Sequence, residues 1–279
     1  MKSKWIIAII AIFIIVLIAG YSIPVLGPSF GFREYKTPTG EFEREKTIWD
    51  WLELLIIPLV LAGGVYYLNK EERKLEREIA KDHQQEAALQ AYINYMTELL
   101  LEKNLNTSKS KQVRTIARIR TLTVLRGLDA RRKGDVMDFL NEAGLINLPN
   151  PVVNLSSADF RNANLVGADL SNTHLQDVNM KGAVLHFAHL DGAVLIGAEL
   201  SEAKLNSATL TGTNLTSVSL KDALLNGAKL SGANLLLANF KNATLFKTNL
   251  KDAKNISRQQ LEIAKTLKGA TMPDGTKHE

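Results

Sequence analysis

The chain has 279 residues, of which 46% are hydrophobic, and a formal net charge of +5. It contains no cysteine, which excludes disulfide bonds, thiolate catalysis and cysteine-ligated metals. The net charge is too mild to indicate a partner by itself, so the positions of the charges matter more than their sum.

Residues 1–27 predict a first transmembrane helix. Trp5 to Leu26 is almost continuously apolar, and about 20 such residues span the roughly 30 Å hydrocarbon layer of a bilayer. Lys2 and Lys4 precede this stretch, as they would in a cleaved signal peptide. We favour a retained span, because no cleavage site of small residues stands out and a second apolar stretch follows.

Residues 48–68 predict a second transmembrane helix, after a loop at residues 28–47. Two Trp residues lie near its start and two Tyr residues near its end, as in the aromatic belts of membrane proteins. Lys and Arg flank the start of the first span and the exit of the second. We therefore expect a multi-pass protein of the cytoplasmic (inner) membrane, with both termini in the cytoplasm.

Two acidic residues, Asp50 and Glu53, lie within the first turns of the second predicted span, on one side of the helix. Acids inside a membrane often belong to an ion pathway, so an oligomeric pore with these residues at its mouth is one interpretation. The other is that both carboxylates sit near the interface, where water reaches them.

Residues 69–150 predict a basic helical linker. A helix to about Leu105 continues from the second span, and two more follow at about 111–126 and 131–143. Between Lys109 and Lys133 there are nine Lys or Arg and one acid. The basic residues are spread around the helices, so two interpretations stay open: a solvated hairpin that packs on the membrane side of the repeats, and attraction to anionic lipid headgroups. We do not expect a nucleic-acid partner.

Residues 151–255 follow a five-residue period. Leu occupies every fifth position from 155 to 250, except for Phe160, Met180 and Phe240, and a small residue lies two positions before each. Neither a helix nor a flat strand has this period. Two inward side chains per five residues predict stacked coils around a continuous Leu and Ala core.

This stretch, SADFRNANLVGADL and its continuation, resembles the pentapeptide-repeat family, whose pattern is A-[DN]-L-x-x. The resemblance implies a right-handed quadrilateral β-helix with four repeats per coil, hence five coils, and a bacterial source. Residues 256–279 resemble the usual ending of such solenoids, with Ser257 as the N-cap of a short capping helix. The region before the repeats resembles the N-terminal module of membrane-anchored members with two transmembrane helices.

Four repeats per coil place alternate repeats on opposite sides of the solenoid. Nine outward positions carry large apolar residues, and all nine fall on two opposite sides, which we interpret as contact surfaces. We expect one to dock the linker helices and the other to bind a partner or a second copy; scattered single apolar residues are the alternative. The first group is Val166, Val184, Phe187, Leu224 and Phe246, and the second is Val194, Ile196, Leu236 and Leu237.

The repeats show no pattern typical of catalysis. His186 and His189 straddle a corner without a third ligand, so we expect neither a metal nor a cofactor. Between Pro151 and Ala253 there are eight Lys or Arg and eight Asp or Glu, so the acidic surface that DNA mimicry requires is missing.

We therefore expect a non-enzymatic scaffold, tethered to the membrane, that presents its solenoid to a protein partner in the cytoplasm. The pore or sensor-effector built around Asp50 and Glu53 is the alternative. A two-span subunit needs several copies to enclose a conduit, so oligomer size distinguishes the two.

Overall fold

The computed structural model describes residues 34–36, 38, 40, 42–44 and 48–279, with side chains described at 38, at 40 and from residue 58 onward. The chain divides into two compact units, Met1–Glu78 and Ile79–Glu279. The first predicted span, Trp5 to Leu26, lies outside the described residues.

Among the described residues, two short strands and four α-helices make up the regular elements outside the solenoid. Strands β1 (Glu34–Lys36) and β2 (Phe42–Arg44) pair antiparallel, with Tyr35 opposite Glu43. The helices are α1 (Ile48–Glu102), α2 (Lys111–Gly127), α3 (Ala130–Glu142) and α4 (Arg258–Glu262).

Helix α1 runs without a break from the second predicted span into the linker, as the sequence indicates. The break before Lys111 and the two following linker helices are confirmed within one residue of the expected ends. Within the part of the chain that the structure describes, no helix is both long and apolar enough to cross a membrane.

The repeat region is a solenoid of stacked coils, which confirms the β-helix expected from the period. Single parallel bridges join each residue before a core Leu to the residue twenty positions later, from Asp159–Asn179 to Asn234–Lys254. Twenty residues are four repeats, so each coil has four sides. Coils 1 to 5 start at residues 153, 173, 193, 213 and 233.

Backbone hydrogen bonds between coils hold the stack together. In the repeat centred on Leu185, the Val184 N–H donates to Ala163 O of the coil before (2.9 Å). The Leu185 and Phe187 N–H groups donate to Lys204 O (2.8 Å) and Asn206 O (3.2 Å) of the coil after. The same pattern recurs along the stack, so the sides of the solenoid offer side chains rather than unpaired backbone to a partner.

Each slot of the repeat has its own physical requirement. The central residue and the small residue two positions before it are buried throughout the repeats, and they form one core. In nine repeats the residue before the central residue accepts, through its side chain, a hydrogen bond from the backbone N–H of the residue after the central one. Asn179, for example, accepts from the Lys181 N–H. This local turn explains why Asn and Asp are common there.

The second residue after the central Leu adopts a left-handed backbone conformation in all twenty repeats. Chain reversal at each corner needs a positive φ, which Gly adopts without strain and Asn or Asp tolerates. Sixteen of the twenty residues in this slot are Gly, Asn, Asp or Ser. We call this position the corner slot.

The linker helices cover the start of the solenoid. The Asn164 N–H donates to Ala130 O at the start of α3 (2.8 Å). Arg118 of α2 donates to Asn154 O and Ser156 O, both at 3.0 Å. The buried residues of α2 and α3 belong to the same hydrophobic cluster as the repeat core, so the helices close the first coil against water.

A buried arginine ties α3 to α1. The Arg132 side chain is 2% exposed and pairs with Asp82 (2.7 Å), with Glu86 (3.0 Å) and with Asp129, the N-cap of its own helix. Hydrogen bonds that Arg132 donates to Asp82 and the other two carboxylates raise the pKa of Arg132 above its ordinary value. A buried guanidinium is tolerated because its donors are matched in this way.

The chain end covers the fifth coil. Ser257 caps α4 in a reciprocal capping box with Gln260, as predicted. The Gln260 amide donates to Leu235 O (3.0 Å) and Ala238 O (2.9 Å) of coil 5. The stack also continues past residue 255, because Thr266 and Thr271 pair with coil 5 and form part of a sixth turn.

We predict that Gly134→Ala lowers the free energy of unfolding by about 1–3 kcal/mol, although alanine favours helices. A Cβ at Gly134 would overlap the Asn164 carbonyl oxygen of the first coil. Gly127→Ala is the control, because a Cβ there meets nothing within 4 Å. Urea unfolding of the full-length protein, followed by circular dichroism, measures both; equal stability of the two variants would contradict the packing of α3 on coil 1.

Candidate functional site

The solenoid has four sides that differ in chemistry. We number them by the central residues of their repeats: side 1 contains 155, 175, 195, 215 and 235, and sides 2, 3 and 4 follow at five-residue steps. The bridges at a spacing of twenty residues stack repeats of the same side directly on one another. Side 1 therefore lies opposite side 3, as the sequence predicts.

Charged residues avoid the two sides that carry the apolar residues. Of the sixteen Lys, Arg, Asp and Glu between residues 153 and 252, eight lie on side 2 and five on side 4. Side 3 carries Lys204 and Lys247, and side 1 carries Asp177 alone. Depletion of charge is typical of the central part of protein interfaces.

Most of the large apolar residues on these sides are exposed in the structure. Phe187 is 62% exposed and Leu237 is 71% exposed, and Val166, Leu236 and Phe246 are exposed as well. The other predicted contact residues are half-buried, namely Val184, Val194, Ile196 and Leu224. The structure thus brings both predicted groups to the surface, and their role in binding stays a prediction.

The structure does not show the linker helices on the large apolar residues of either side, so the expected docking on one of the two sides stays a prediction. The helices contact the first coil through Arg118, Ala130 and Lys133, while the side chains of Val166, Phe187 and Phe246 stay open to solvent. The physical reason is that the first coil exposes one end of the hydrophobic core to water, whereas the core residues along the sides are already buried.

Phe187 and Leu237 both lie in the corner slot, with φ of 61° and 58°. A left-handed backbone costs a residue with a Cβ roughly 1–2 kcal/mol. These two are the only apolar residues among the twenty corner slots. Backbone strain at an exposed apolar residue contributes nothing to folding. Such strain is typical of functional positions. Sequence reasoning missed this signal, although the composition of the slot shows it.

Apolar residues also occupy the slot before the central residue, where other repeats have a side chain that accepts a backbone hydrogen bond. Val184, Val194 and Leu224 stand where Asn or Asp accepts a backbone hydrogen bond in other repeats. These substitutions again fall on sides 1 and 3. Both sides therefore give up local stabilisation in return for a more apolar outer surface.

The charged sides hold their carboxylates in internal contacts. On side 2, the Arg161 guanidinium holds the pKa of Asp159 at about 2. On side 4, burial raises the pKa of Asp191, but hydrogen bonds from Thr209 and Thr211 outweigh it and keep the pKa below its ordinary value. A carboxylate stabilised in its ionised form is a poor general acid.

The two histidines singled out in the sequence do not form a metal site in the structure. The His186 ring lies 6.5 Å from the Phe187 ring, and His189 Nδ1 lies 3.4 Å from Thr209 Oγ1. Among the described residues, no group of three or more His, Cys, Asp or Glu is placed to hold a metal ion.

A groove of about 540 Å³ lies between α1 and α2, lined in part by Tyr92, Tyr95 and Arg120. The Tyr92 hydroxyl is bonded to Thr121 (2.9 Å), and burial raises its pKa. The Arg120 guanidinium lies 5.1 Å from the centre of the Tyr95 ring. The Tyr92 hydroxyl and the Arg120 guanidinium are thus engaged within the protein.

Several basic residues of the linker serve the fold. Arg118, Arg132 and Lys133 bind carbonyl or carboxylate oxygens within the protein. Other basic side chains are exposed, namely Lys109, Lys111, Arg120, Arg126 and Arg131. Attraction to anionic lipid headgroups therefore stays a prediction that concerns this smaller group.

The predicted pore acids, Asp50 and Glu53, lie in the first turns of α1. Their side chains lie outside the described residues, so the pore stays a prediction.

The fold and its surfaces define a solenoid repeat protein of the β-helix class. The family model for pentapeptide repeats matches residues 154–186, 179–216 and 214–254. The chain belongs to the pentapeptide-repeat family.

Similar solved structures cover the repeat region. A pentapeptide-repeat protein from the Arabidopsis thaliana thylakoid lumen is 31% identical over 44% of this chain and 83% of its own, with a TM-score of 0.34. Rfr23 of the cyanobacterium Cyanothece 51142 is 32% identical over 38% of this chain and 64% of its own, with a TM-score of 0.29. A pentapeptide-repeat protein of Nostoc PCC 7120 is 37% identical over 35% of this chain and 70% of its own, with a TM-score of 0.18.

No curated protein matches the chain significantly. Because all three TM-scores are below 0.5, the assignment to the family rests on the repeat sequence and not on superposition.

We predict that Phe187→Asn raises the free energy of unfolding by about 1 kcal/mol, because asparagine tolerates the left-handed corner slot. The control is the reverse exchange in the same slot and side, Ser207→Leu, which should lower the free energy of unfolding by a similar amount. Urea unfolding of the purified full-length protein measures both. A loss of stability in Phe187→Asn would contradict the strain at this residue.

Proposed function

We propose that the protein is a non-enzymatic interaction scaffold, tethered to the cytoplasmic membrane by its N-terminal segment, that binds a protein partner through side 3. The observation that carries the proposal is the exposed Phe187 in a strained corner slot, on a side with few charges. Natural sequences tend to accept such a local loss of stability at functional positions.

Side 3 presents a ladder of apolar groups along the stack. Val166, Phe187 and Phe246 lie in coils 1, 2 and 5, which at about 4.8 Å per coil span roughly 20 Å. Exposed aromatic side chains are frequent binding hot spots, since they bury a large area on contact.

The charge of side 3 restricts the chemistry of the partner. Lys204 and Lys247 lie on this side without an acidic residue, and the Lys247 ammonium lies 5.1 Å from the centre of the Phe246 ring. A complementary surface is apolar with carboxylates at its edge, because opposite charges at the rim favour encounter and register.

The membrane tether is supported by the sequence alone. Two apolar stretches, Trp5 to Leu26 and Ile48 to Leu68, have the length of a bilayer span. Basic residues flank the outer ends of the pair, which favours cytoplasmic termini and a cytoplasmic solenoid.

We predict that a photo-reactive phenylalanine analogue at Phe246 or Phe187 forms adducts with another protein when cells that make the full-length chain are irradiated. Lys241 is the control, because it occupies the slot of Phe246 in the same coil, on side 2. Gel shifts and mass spectrometry identify the adducts. Equal adducts at Lys241, or none at either Phe position, would show that side 3 is not the contact surface.

We predict that Thr39→Cys, in the loop between the two expected spans, is labelled by a membrane-impermeant maleimide in intact cells. Lys241→Cys, in the solenoid, should be labelled only after permeabilisation. The background is clean, because the chain has no cysteine of its own. Labelling of Lys241→Cys in intact cells would contradict a cytoplasmic solenoid, and recovery of the protein in the soluble fraction would contradict the tether.

A further inference from the structure

We propose that a basic groove beside α2 is a binding site for a ligand that carries a phosphate group. The groove has a volume of about 490 Å³ and lies between α2 and residues 151–154, where the chain enters the first coil. Four of its lining residues are cations, namely Lys109, Lys111, Arg114 and Arg118. The site is separate from side 3, so the proposal goes beyond the proposed function.

The spacing of the sequence brings the four cations together. Lys111, Arg114 and Arg118 follow one another at steps of three and four residues along α2, so they share one face of the helix. Lys109 lies just before the helix and lines the same groove. Positive charge is therefore concentrated along one short stretch of the linker.

The charge of the groove is not neutralised within the protein. None of the residues that line the groove is acidic. Among the residues that the structure describes, no carboxylate forms an ion pair with any of the four cations. Arg132 of the neighbouring helix, in contrast, is paired with Asp82 and Glu86. A concave surface with positive charge of this kind attracts an anion from outside the chain.

Two of the cations lie where they oppose the stability of α2. Lys111 and Arg114 are among its first four residues, and the helix has no acidic residue in its first turn. The start of a helix is positive, so it favours acids and disfavours cations. Folding therefore does not explain these residue types, whereas a bound anion offsets both the dipole and the repulsion between the cations.

Backbone carbonyls hold the two arginines at the groove. Arg118 donates from Nε and Nη2 to Asn154 O and Ser156 O, both at 3.0 Å. Arg114 donates from Nε to Ser108 O (2.9 Å). Both arginines are half-buried, and each keeps at least one Nη group without a hydrogen bond among the described residues. Such fixed guanidinium donors lose little conformational freedom when an anion binds.

The chemistry of the groove favours a phosphate group over a single carboxylate. A phosphate monoester carries about two negative charges and three strong acceptor oxygens, which suit several cations at once. Arginine offers it forked donors, and lysine offers a point charge. Pro151 and Val152 add an apolar wall, so the groove accommodates further atoms beside the phosphate. The phosphate group can belong to a soluble phosphate ester or to a lipid headgroup.

The first experiment is calorimetric titration of the full-length protein, in neutral detergent and at constant ionic strength, with inorganic phosphate. Lys109→Gln combined with Lys111→Gln should weaken binding about tenfold or more, because two of the four cations are lost. Both residues are exposed, so the fold should be unchanged by circular dichroism.

The matched control is Arg120→Gln combined with Arg126→Gln. It removes the same charge from exposed positions of α2 that do not line the groove. Its affinity for phosphate should stay within roughly twofold of the wild type, because salt screens distant charges. Arg114→Lys, which keeps the charge but loses the forked donors, should bind phosphate several-fold more weakly.

The second experiment identifies the source of the phosphate group. The titration is repeated in nanodiscs of phosphatidylcholine and in nanodiscs that also contain an equal amount of phosphatidylglycerol. If a lipid headgroup occupies the groove, the anionic nanodiscs should abolish the difference in phosphate affinity between the wild type and the Lys109→Gln, Lys111→Gln variant. If the ligand is a soluble phosphate ester, the difference should persist in both kinds of nanodisc.

Three results would overturn the proposal. The first is equal affinity of the wild type and the Lys109→Gln, Lys111→Gln variant in detergent, including no binding by either. The second is an equal loss in the Arg120→Gln, Arg126→Gln control. The third is binding of acetate as tight as that of phosphate, which would indicate an acidic protein segment instead. None of these results affects the adducts at Phe187 and Phe246, which test side 3.

Discussion

Parallel backbone pairing between residues twenty positions apart decides what every side chain of the solenoid can do. The pairing runs along the stack, so the central Leu and the small residue before it must point inward and the other three slots face outward. The corner slot must also take a left-handed backbone. An outward residue that fits its slot poorly therefore signals a purpose other than folding. Phe187, Leu237 and the apolar residues in place of Asn or Asp are such residues, and they share two sides that are poor in charge.

The period of the sequence predicts most of the solenoid, because burial in a repeat depends on the slot and not on distant contacts. It predicts the stacked coils, whereas the opposition of sides 1 and 3 and the cap at Ser257 were expected from the resemblance to the pentapeptide-repeat family. It does not predict that α2 and α3 close coil 1, since that contact depends on Gly134 meeting Asn164 and on the buried Arg132, which are tertiary pairings without a local pattern. The β1–β2 hairpin and the partial sixth turn were missed for the same reason. The apolar sides were predicted from residue type, whereas the backbone strain at Phe187 and Leu237 was missed, although the Gly, Asn, Asp and Ser of most other corner slots indicate it.

Stability and recognition are divided between different parts of the molecule. The core, the backbone ladder and the end covers of α2, α3 and α4 account for folding, and none of them requires an apolar residue in the outward slots of sides 1 or 3. Sides 2 and 4 carry thirteen of the sixteen charges between residues 153 and 252, which keeps the solenoid soluble and steers contacts away from them. Side 3 then suits a partner with an apolar centre and an acidic rim.

The claim that side 3 is covered in the cell is tested most directly by hydroxyl-radical footprinting of the full-length protein in its host membranes. The purified protein serves as the reference. The account predicts that oxidation of Phe187 and Phe246 is several-fold lower in the membranes than in the purified protein, while exposed side chains of side 2 such as Lys241 react equally in both. Equal oxidation of Phe187 and Phe246 in the two samples would contradict it, because side chains as exposed as these react freely unless another molecule covers them.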